Sequence, residues 1–216
     1  MFVRKWMSTD VVTIDENATL SEAIHTLKRN NIRRLPVMSG EKLVGIVSDR
    51  DLKEASPSKV TSLDIWEVHY LMSKIKIKDI MKKDPITISP DDTIEKAAIL
   101  MFDNKIGGLP VLENGKLVGI LTEQDVFNAL INITGARIPS FRITLTIPDE
   151  PGSIKEVCDK MREYEFKCIS ILTTKQGVEE GKREVIIRFH AEGDELDKIK
   201  DMLAKDYPDV VITENG

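Results

Sequence analysis

The residues best placed to do chemistry in this 216-residue chain occur twice. Ser48 is followed three positions later by Asp51, and Thr122 by Asp125. Each pair stands just after a run that reads as a strand, Gly45-Ile46-Val47 and Gly119-Ile120-Leu121, where helical spacing begins. A hydroxyl at a helix entrance can cap the first backbone N–H groups, and those same groups can receive a phosphate. The spacing leaves two uses open: plain capping with a solvated aspartate, or a ligand site. Arg33, Arg34 and Arg50 accompany the first pair. The matching positions near the second pair hold Gly107, Gly108 and Gln124. Arginines can clamp phosphate oxygens with a forked geometry, whereas paired glycines let a flat ring approach backbone.

Catalytic and metal chemistry find little to use. His25, His69 and His190 fall in three different elements and form no HxH or HExxH pair. Cys158 and Cys168 form no CxxC and read as buried, inert thiols. No phosphate-binding GxxxxGK[ST] and no GxSxG is present. The expectation is a protein with no enzymatic activity, no catalytic cofactor and no metal site.

Composition narrows the class further. Hydrophobic residues make up 41% and charged ones 31%, so the chain can bury a core. No apolar run approaches the roughly 18 residues of a membrane span, and residues 1–6 do not resemble a secretory leader. Two cysteines fit a reducing compartment. A cytoplasmic protein with no membrane partner is expected. The net charge is −5. Residues 1–138 carry 19 basic and 19 acidic side chains, and the acidic excess lies in residues 139–216. Neither part has the basic footprint of a nucleic-acid binder.

The two hydroxyl–aspartate pairs belong to a longer repeat. A shift of 74 residues aligns 3–52 with 77–126 without a gap, with 17 of 50 positions identical. Two copies predict a pseudo-twofold pair rather than a solenoid. Each copy reads β-α-β-β-α. The first strands are expected at residues 11–14 and 86–88. Capping-box spacing at Thr19/Glu22 and Asp92/Glu95 opens a helix in each copy. Hairpin strands follow at 35–38 and 43–47, and at 109–112 and 117–121. Between the copies, residues 62–74 have helical spacing, with Trp66 expected as a core anchor rather than a stacking platform.

Each copy resembles a CBS domain, and the tandem over residues 3–130 resembles a Bateman module. The resemblance rests on Met7 with Thr13, Leu35-Pro36-Val37 and Gly45 to Asp51, and on Met81 with Thr87, Leu109-Pro110-Val111 and Gly119 to Asp125. It implies a cleft between the repeats that binds an adenosine-containing ligand: AMP, ADP, ATP, S-adenosylmethionine or NAD. The ribose would be held by Asp51 or Asp125 beside Ser48 or Thr122. The adenine would lie against Val12, Ile32, Arg33 and Arg34, or against Ile86, Ile106, Gly107 and Gly108, with Pro36 and Pro110 alongside. Because the copies differ at these places, two unequal sites are expected, with Arg33, Arg34 and Arg50 supplying most of the positive charge.

After residue 138 the pattern restarts as β-α-β-β-α-β, a ferredoxin-like order. The phrase Ile147-Pro148-Asp149-Glu150-Pro151-Gly152-Ser153-Ile154 resembles the first turn of an ACT domain, over residues 140–213. That likeness implies edge-to-edge pairing and an amino-acid site at Asp149, Pro151, Gly152 and Ser153; a tight turn without ligand fits the same residues. The whole order, an α+β chain of two CBS repeats (1–138) and an ACT-like domain (139–216), resembles acetoin-utilisation-type CBS–ACT proteins. The expected role is regulatory: a homodimer that senses a nucleotide and passes the change through residues 128–139 to the ACT-like part and to an unidentified regulated protein. An amino-acid sensor, or a ligand-free dimerising module, fits the same architecture.

Overall fold

The computed structural model describes residues 1–56, 64–162, 166–190 and 195–215. Helix α1 (Leu20–Asn30) begins at a reciprocal cap: Glu22 N–H donates to Thr19 Oγ1 at 3.2 Å, and Thr19 N–H donates to Glu22 Oε2 at 2.7 Å. It ends at Asn31 in the left-handed conformation, φ 51°. Its buried stripe is Leu20, Ala23 and Leu27. The equivalent helix of the second copy, later numbered α5 (Ile94–Asn104), is capped by Thr93 rather than by the expected Asp92. Thr93 is the repeat counterpart of Thr19. Lys96 stands where Glu22 does, so no acid returns the bond, and the Asp92 carboxylate instead accepts from Ser89 N–H and Lys96 Nζ.

Each copy then forms a hairpin: β2 (Arg34–Ser39) with β3 (Lys42–Ser48), and β5 (Gly108–Glu113) with β6 (Lys116–Thr122). The registers are the same, Leu35 opposite Val47 and Leu109 opposite Leu121, with a bulge after Val37 and after Val111. Asn114 and Gly115 both have positive φ, as a type I′ turn requires. The expected leading strands are shorter than the sequence suggests. Only Ile14–Asp15 (β1) pairs with β2, in parallel, and Ile88 makes a single bridge to Val111. Val11, Val12 and Ile86 leave the sheets to line cavities, and Pro85 has no N–H to offer a ladder.

The segment ahead of each copy docks on the other copy. After α2 (Asp49–Ala55), α3 (Ile65–Lys74) and α4 (Ile77–Ile80), the strand β4 (Lys82–Lys83) pairs with Gly45 and Ile46 of β3. In mirror fashion Ser8 pairs with Ile120 of β6. Val3 N–H donates to Asp92 O at 2.8 Å, and its counterpart Ile77 N–H donates to Ala18 O at 2.9 Å. Val3 and Ile77 are both fully buried. The Met81 and Met7 side chains lie over Gly45 and Gly119, so close that an added Cβ would stand 2.5 and 2.7 Å from the sulfur. The exchange completes a core that a 50-residue unit alone could not build, because such a unit would bury too little apolar surface: Ile77, from the segment ahead of the second copy, is buried with Leu20, Leu35 and Val47 of the first.

One expectation about the intervening segment changes, and part of another is not described. Residues 62 and 63 lie outside the described residues. Trp66 is 79% exposed and Tyr70 is 63% exposed, so Trp66 is not a core anchor. The helix packs through Met72, with Ile75 just beyond its end, and turns its aromatic face outward.

The chain divides into two compact units, Met1–Phe127 and Asn128–Gly216, a division that falls inside helix α6 (Glu123–Thr134) and before the compositional break at 138. In the second unit Ser170 Oγ donates to Thr134 O at 2.9 Å, and the Ile169 side chain packs against Gly135. The last turn of α6 is tied to this unit by those contacts. The unit itself runs β7 (Ser140–Pro148), α7 (Ser153–Arg162), β8 (Lys167–Thr174), β9 (Lys182–His190), α8 (Glu195–Asp206) and β10 (Val211–Asn215). All pairings are antiparallel, in the order β10-β7-β9-β8. Alternate residues Ile143, Leu145 and Ile147 of β7 and Val185, Ile187 and Phe189 of β9 face Val157, Met161, Ile199 and Leu203. Tyr164, which its spacing from Ile154, Val157 and Met161 would put on the same helix face, lies outside the described residues.

Candidate functional site

Both hydroxyl–aspartate pairs are helix caps. Ser48 N–H donates to Asp51 Oδ2 at 2.8 Å, Ser48 Oγ donates to the same oxygen at 2.6 Å, and Asp51 N–H donates back to Ser48 Oγ at 3.3 Å. Thr122 and Asp125 repeat this at 2.8, 2.7 and 3.4 Å, at the start of α6. Capping and ligand binding are not exclusive here, because the cap uses one carboxylate oxygen. The other oxygen of Asp51 lies 3.6 Å from Lys82 Nζ.

Two cavities open beside these caps. The first, about 370 Å³, brings Val12, Ile32, Arg33 and Arg34 of the first copy to Thr122, Gln124 and Asp125 of the second. The other, about 780 Å³, brings Ile86, Ile106, Gly107 and Gly108 of the second copy to Ser48, Arg50 and Asp51 of the first. Each cavity takes its hydroxyl–aspartate pair from one repeat and its apolar wall from the other. Reciprocal docking of the leading segments produces this crossing. Of the residues expected at the site, only Pro36 and Pro110 line neither cavity. They are buried inside β2 and β5, opposite Ile46 and Ile120.

Sequence reasoning missed several wall residues: Ser8, Asp10 and Asn31 in the first cavity, and Lys82, Asp84 and Lys105 in the other. They are three repeat-related pairs, so the 74-residue shift was the available signal. They also alter the charge expected at the two sites. The larger cavity gathers Lys82, Lys83 and Lys105 in addition to Arg33, Arg34 and Arg50, against Asp49, Asp51, Glu54, Asp84 and Glu123. The smaller has only the two arginines, against Asp10, Glu123 and Asp125. Arg50 is also bound to Glu54, Nε to Oε1 at 2.9 Å.

The opening expected over Gly107 and Gly108 is filled by a side chain of this chain. The Arg34 guanidinium lies across it, and a Cβ added at Gly108 would stand 2.5 Å from Nη1. Burial pushes the Arg34 pKa down, and the nearby Arg33 adds to that, while Glu123, Asp49 and Asp125 oppose it.

In the second unit, Asp149, Glu150, Pro151 and Gly152 border a cavity of about 740 Å³ together with Lys155, Lys175 and Arg183. Asp149 is ion-paired to both Lys175 and Arg183, and its carboxyl is held below the usual aspartate range by those hydrogen bonds. Ser153 is buried at the start of α7 and does not line the cavity. No atom lies within 4 Å of where a Cβ at Gly152 would stand, so close packing is not what requires glycine there. Its φ of +99° is what calls for glycine.

The thiols also differ from expectation, since Cys158 is half-buried and Cys168 is exposed. Partial burial pushes both thiol pKa values up, with Asp159 adding to the effect on Cys158 and Cys158 to that on Cys168. His25 and His190 are exposed. Among the described residues, no group of three or more His, Cys, Asp or Glu is placed to hold a metal ion. Among them too, no helix is long and apolar enough to cross a membrane.

The model of the CBS domain matches residues 3–58 and 77–132. A CBS domain-containing protein of Dictyostelium discoideum is 36% identical over 135 residues, covering 62% of this chain and 93% of its own. An inosine-5'-monophosphate dehydrogenase of Korarchaeum cryptofilum is 38% identical over 119 residues, which is 55% of this chain but 22% of the enzyme. Among solved structures, a putative acetoin utilization protein (AcuB) from Vibrio cholerae is 30% identical with a TM-score of 0.52, covering 63% of this chain and 95% of that one. The CBS domain pair of protein MJ0100, solved in complex with 5'-methylthioadenosine and S-adenosyl-L-methionine, is 28% identical with a TM-score of 0.50, covering 60% and 99%. With both repeats matched in full and a relative covered almost end to end, the chain belongs to the CBS domain family and carries its domains as a tandem pair.

Proposed function

We propose that this chain is a regulatory, non-catalytic sensor that holds an adenosine-containing ligand (AMP, ADP, ATP, S-adenosylmethionine or NAD) in the cavities between its CBS repeats. The observation that carries the reading is the crossed composition of each cavity: a capped hydroxyl–aspartate pair from one repeat faces an apolar wall from the other. The carboxylate oxygen that the cap does not use, which in Asp51 also faces Lys82 Nζ, can accept from vicinal ribose hydroxyls, and Val12 with Ile32, or Ile86 with Ile106, can flank a ring. The adenosine ligands named for the MJ0100 domain pair support the same class. A ligand touching both repeats favours one relative placement of them, and it shifts that equilibrium only as far as its affinities for the two placements differ.

The rest of the proposal is that the second unit is an ACT domain, that the protein acts in the cytoplasm as a homodimer, and that the ligand-dependent change alters contacts with a regulated protein. The antiparallel order β10-β7-β9-β8 and the Gly152 turn support the ACT assignment. A second reading, amino-acid sensing, is favoured by the cavity beside Asp149, although that carboxylate already has two cationic partners.

Thermal unfolding with AMP, ATP, S-adenosylmethionine, NAD and amino acids tests the choice. A ligand at about 100 times its Kd should add roughly 2.7 kcal/mol to the unit that binds it. Stabilisation by amino acids alone would transfer the sensing role to the second unit. Stabilisation by none of them would leave a dimerising module.

A further inference from the structure

Arg34 lines both cavities. Its counterpart 74 residues on is Gly108, and the two meet: the Arg34 guanidinium lies across Gly107 and Gly108. A Cβ at Gly108 would stand 2.5 Å from Nη1 and 2.8 Å from Cδ, and one at Gly107 would stand 2.5 Å from Nη2. The side chain can lie there because both facing residues are glycine. A symmetric pair would put two arginines at this place, one for each cavity. This chain has one, positioned between them. Glu123 borders both cavities as well and attracts it electrostatically. Arg33 also lines both but is exposed, on the wet side of the same strand entry. A guanidinium binds a phosphate best bidentately, and turning the Arg34 fork toward an anion in one cavity draws it away from the other.

We propose that Arg34 couples the two ligand positions negatively: an anionic group held in one cavity takes the Arg34 fork and weakens the binding of an anionic group in the other. The proposal rests on the nucleotide reading above. It assigns to one residue a role that neither cavity alone would reveal. The two cavities differ in walls and charge, so unequal affinities alone would not prove it. Coupling is separable from inequality, because for independent sites the product of the two stepwise dissociation constants equals the product of the two single-site constants.

Calorimetric titration of the full chain with AMP and with adenosine provides the test. Asp51→Asn and Asp125→Asn each leave one cavity intact and supply the single-site constants. For AMP, the wild-type product should exceed the single-site product on the order of tenfold. Adenosine, which lacks the phosphate, should show no excess. Arg34→Met should abolish the excess for AMP, and Arg33→Met should retain it. Equal products for AMP, an excess that survives Arg34→Met, or the same excess with adenosine would each overturn the proposal. If the asparagine variants do not fold, the ratio of the two AMP constants in wild type and in Arg34→Met carries the comparison: it should fall toward the adenosine ratio, and an unchanged ratio overturns the coupling. One AMP bound by wild type and two by Arg34→Met is the limiting expected result; one in both refutes it. Absence of binding by both probes overturns the nucleotide reading itself, a result distinct from all of these.

Discussion

Replacing Asp51 by alanine separates the two uses of that carboxylate. The substitution removes the bonds that Ser48 N–H and Oγ donate at 2.8 and 2.6 Å, and leaves Ser48 Oγ able to accept from residue 51 N–H. Loss of half a capping box costs about 1 kcal/mol. For a unit of this size that is a fall of roughly 4 °C in Tm. Ser48→Ala breaks the same cap from the other side and should cost a similar amount. The ligand effect differs. Asp51→Ala also removes the oxygen left free by the cap, and a hydrogen bond to a charged group is worth about 1.5–3 kcal/mol. At 1.4 kcal/mol per factor of ten, AMP affinity in the larger cavity should fall roughly 10- to 100-fold. Chemical denaturation of the apo-protein measures the first effect and calorimetric titration the second. If Asp51→Ala and Ser48→Ala lose equal stability and neither changes nucleotide affinity, Asp51 is a cap and nothing more, and the binding argument collapses at that cavity.

Three further outcomes follow from packing and charge. Gly45→Ala and Gly119→Ala should each destabilise the first unit by about 1–3 kcal/mol in urea melts, because the new Cβ meets a methionine sulfur and the backbone carbonyl of Lys82 or Ser8; a neutral result in either would contradict the reciprocal docking. Trp66→Ala should change stability by less than about 0.5 kcal/mol, since the ring is 79% exposed, whereas a core anchor would cost about 3–5 kcal/mol. Asp149 has a lowered pKa in the folded chain, so its contribution is present above the ordinary aspartate range and is lost as pH falls through the folded value. Asp149→Asn should therefore make acid unfolding of the second unit less steep. An unchanged acid limb would mean that the Lys175 and Arg183 pairs are fully screened.

The local pattern of both repeats was legible because it obeys short-range rules. Thr19 caps α1 as its spacing with Glu22 predicts, and the hairpins lie within a residue or two of their aliphatic runs. The β-α-β-β-α-β order of the second unit was equally visible in alternation and helical spacing. Where two rules competed, the reading failed: both Asp92 and Thr93 can cap, and it is Thr93 that accepts from Lys96 N–H while Asp92 accepts from Ser89 N–H. Trp66 misled because size and hydrophobicity do not say which face of a helix finds a partner.

Most of the residues facing the cavities were named by the resemblance to CBS domains, but not their pairing. That Asp125 belongs with Val12 and Ile32, and Asp51 with Ile86 and Ile106, follows from Met7 docking on Gly119 and Met81 on Gly45, contacts between residues far apart in the chain. Sequence determined that two hydroxyl–aspartate caps exist, since a cap depends on residues three apart. Tertiary structure alone decided that Arg34 would lie over Gly107 and Gly108 and stand between two cavities, because only the association of the repeats brings residue 34 to its own counterpart.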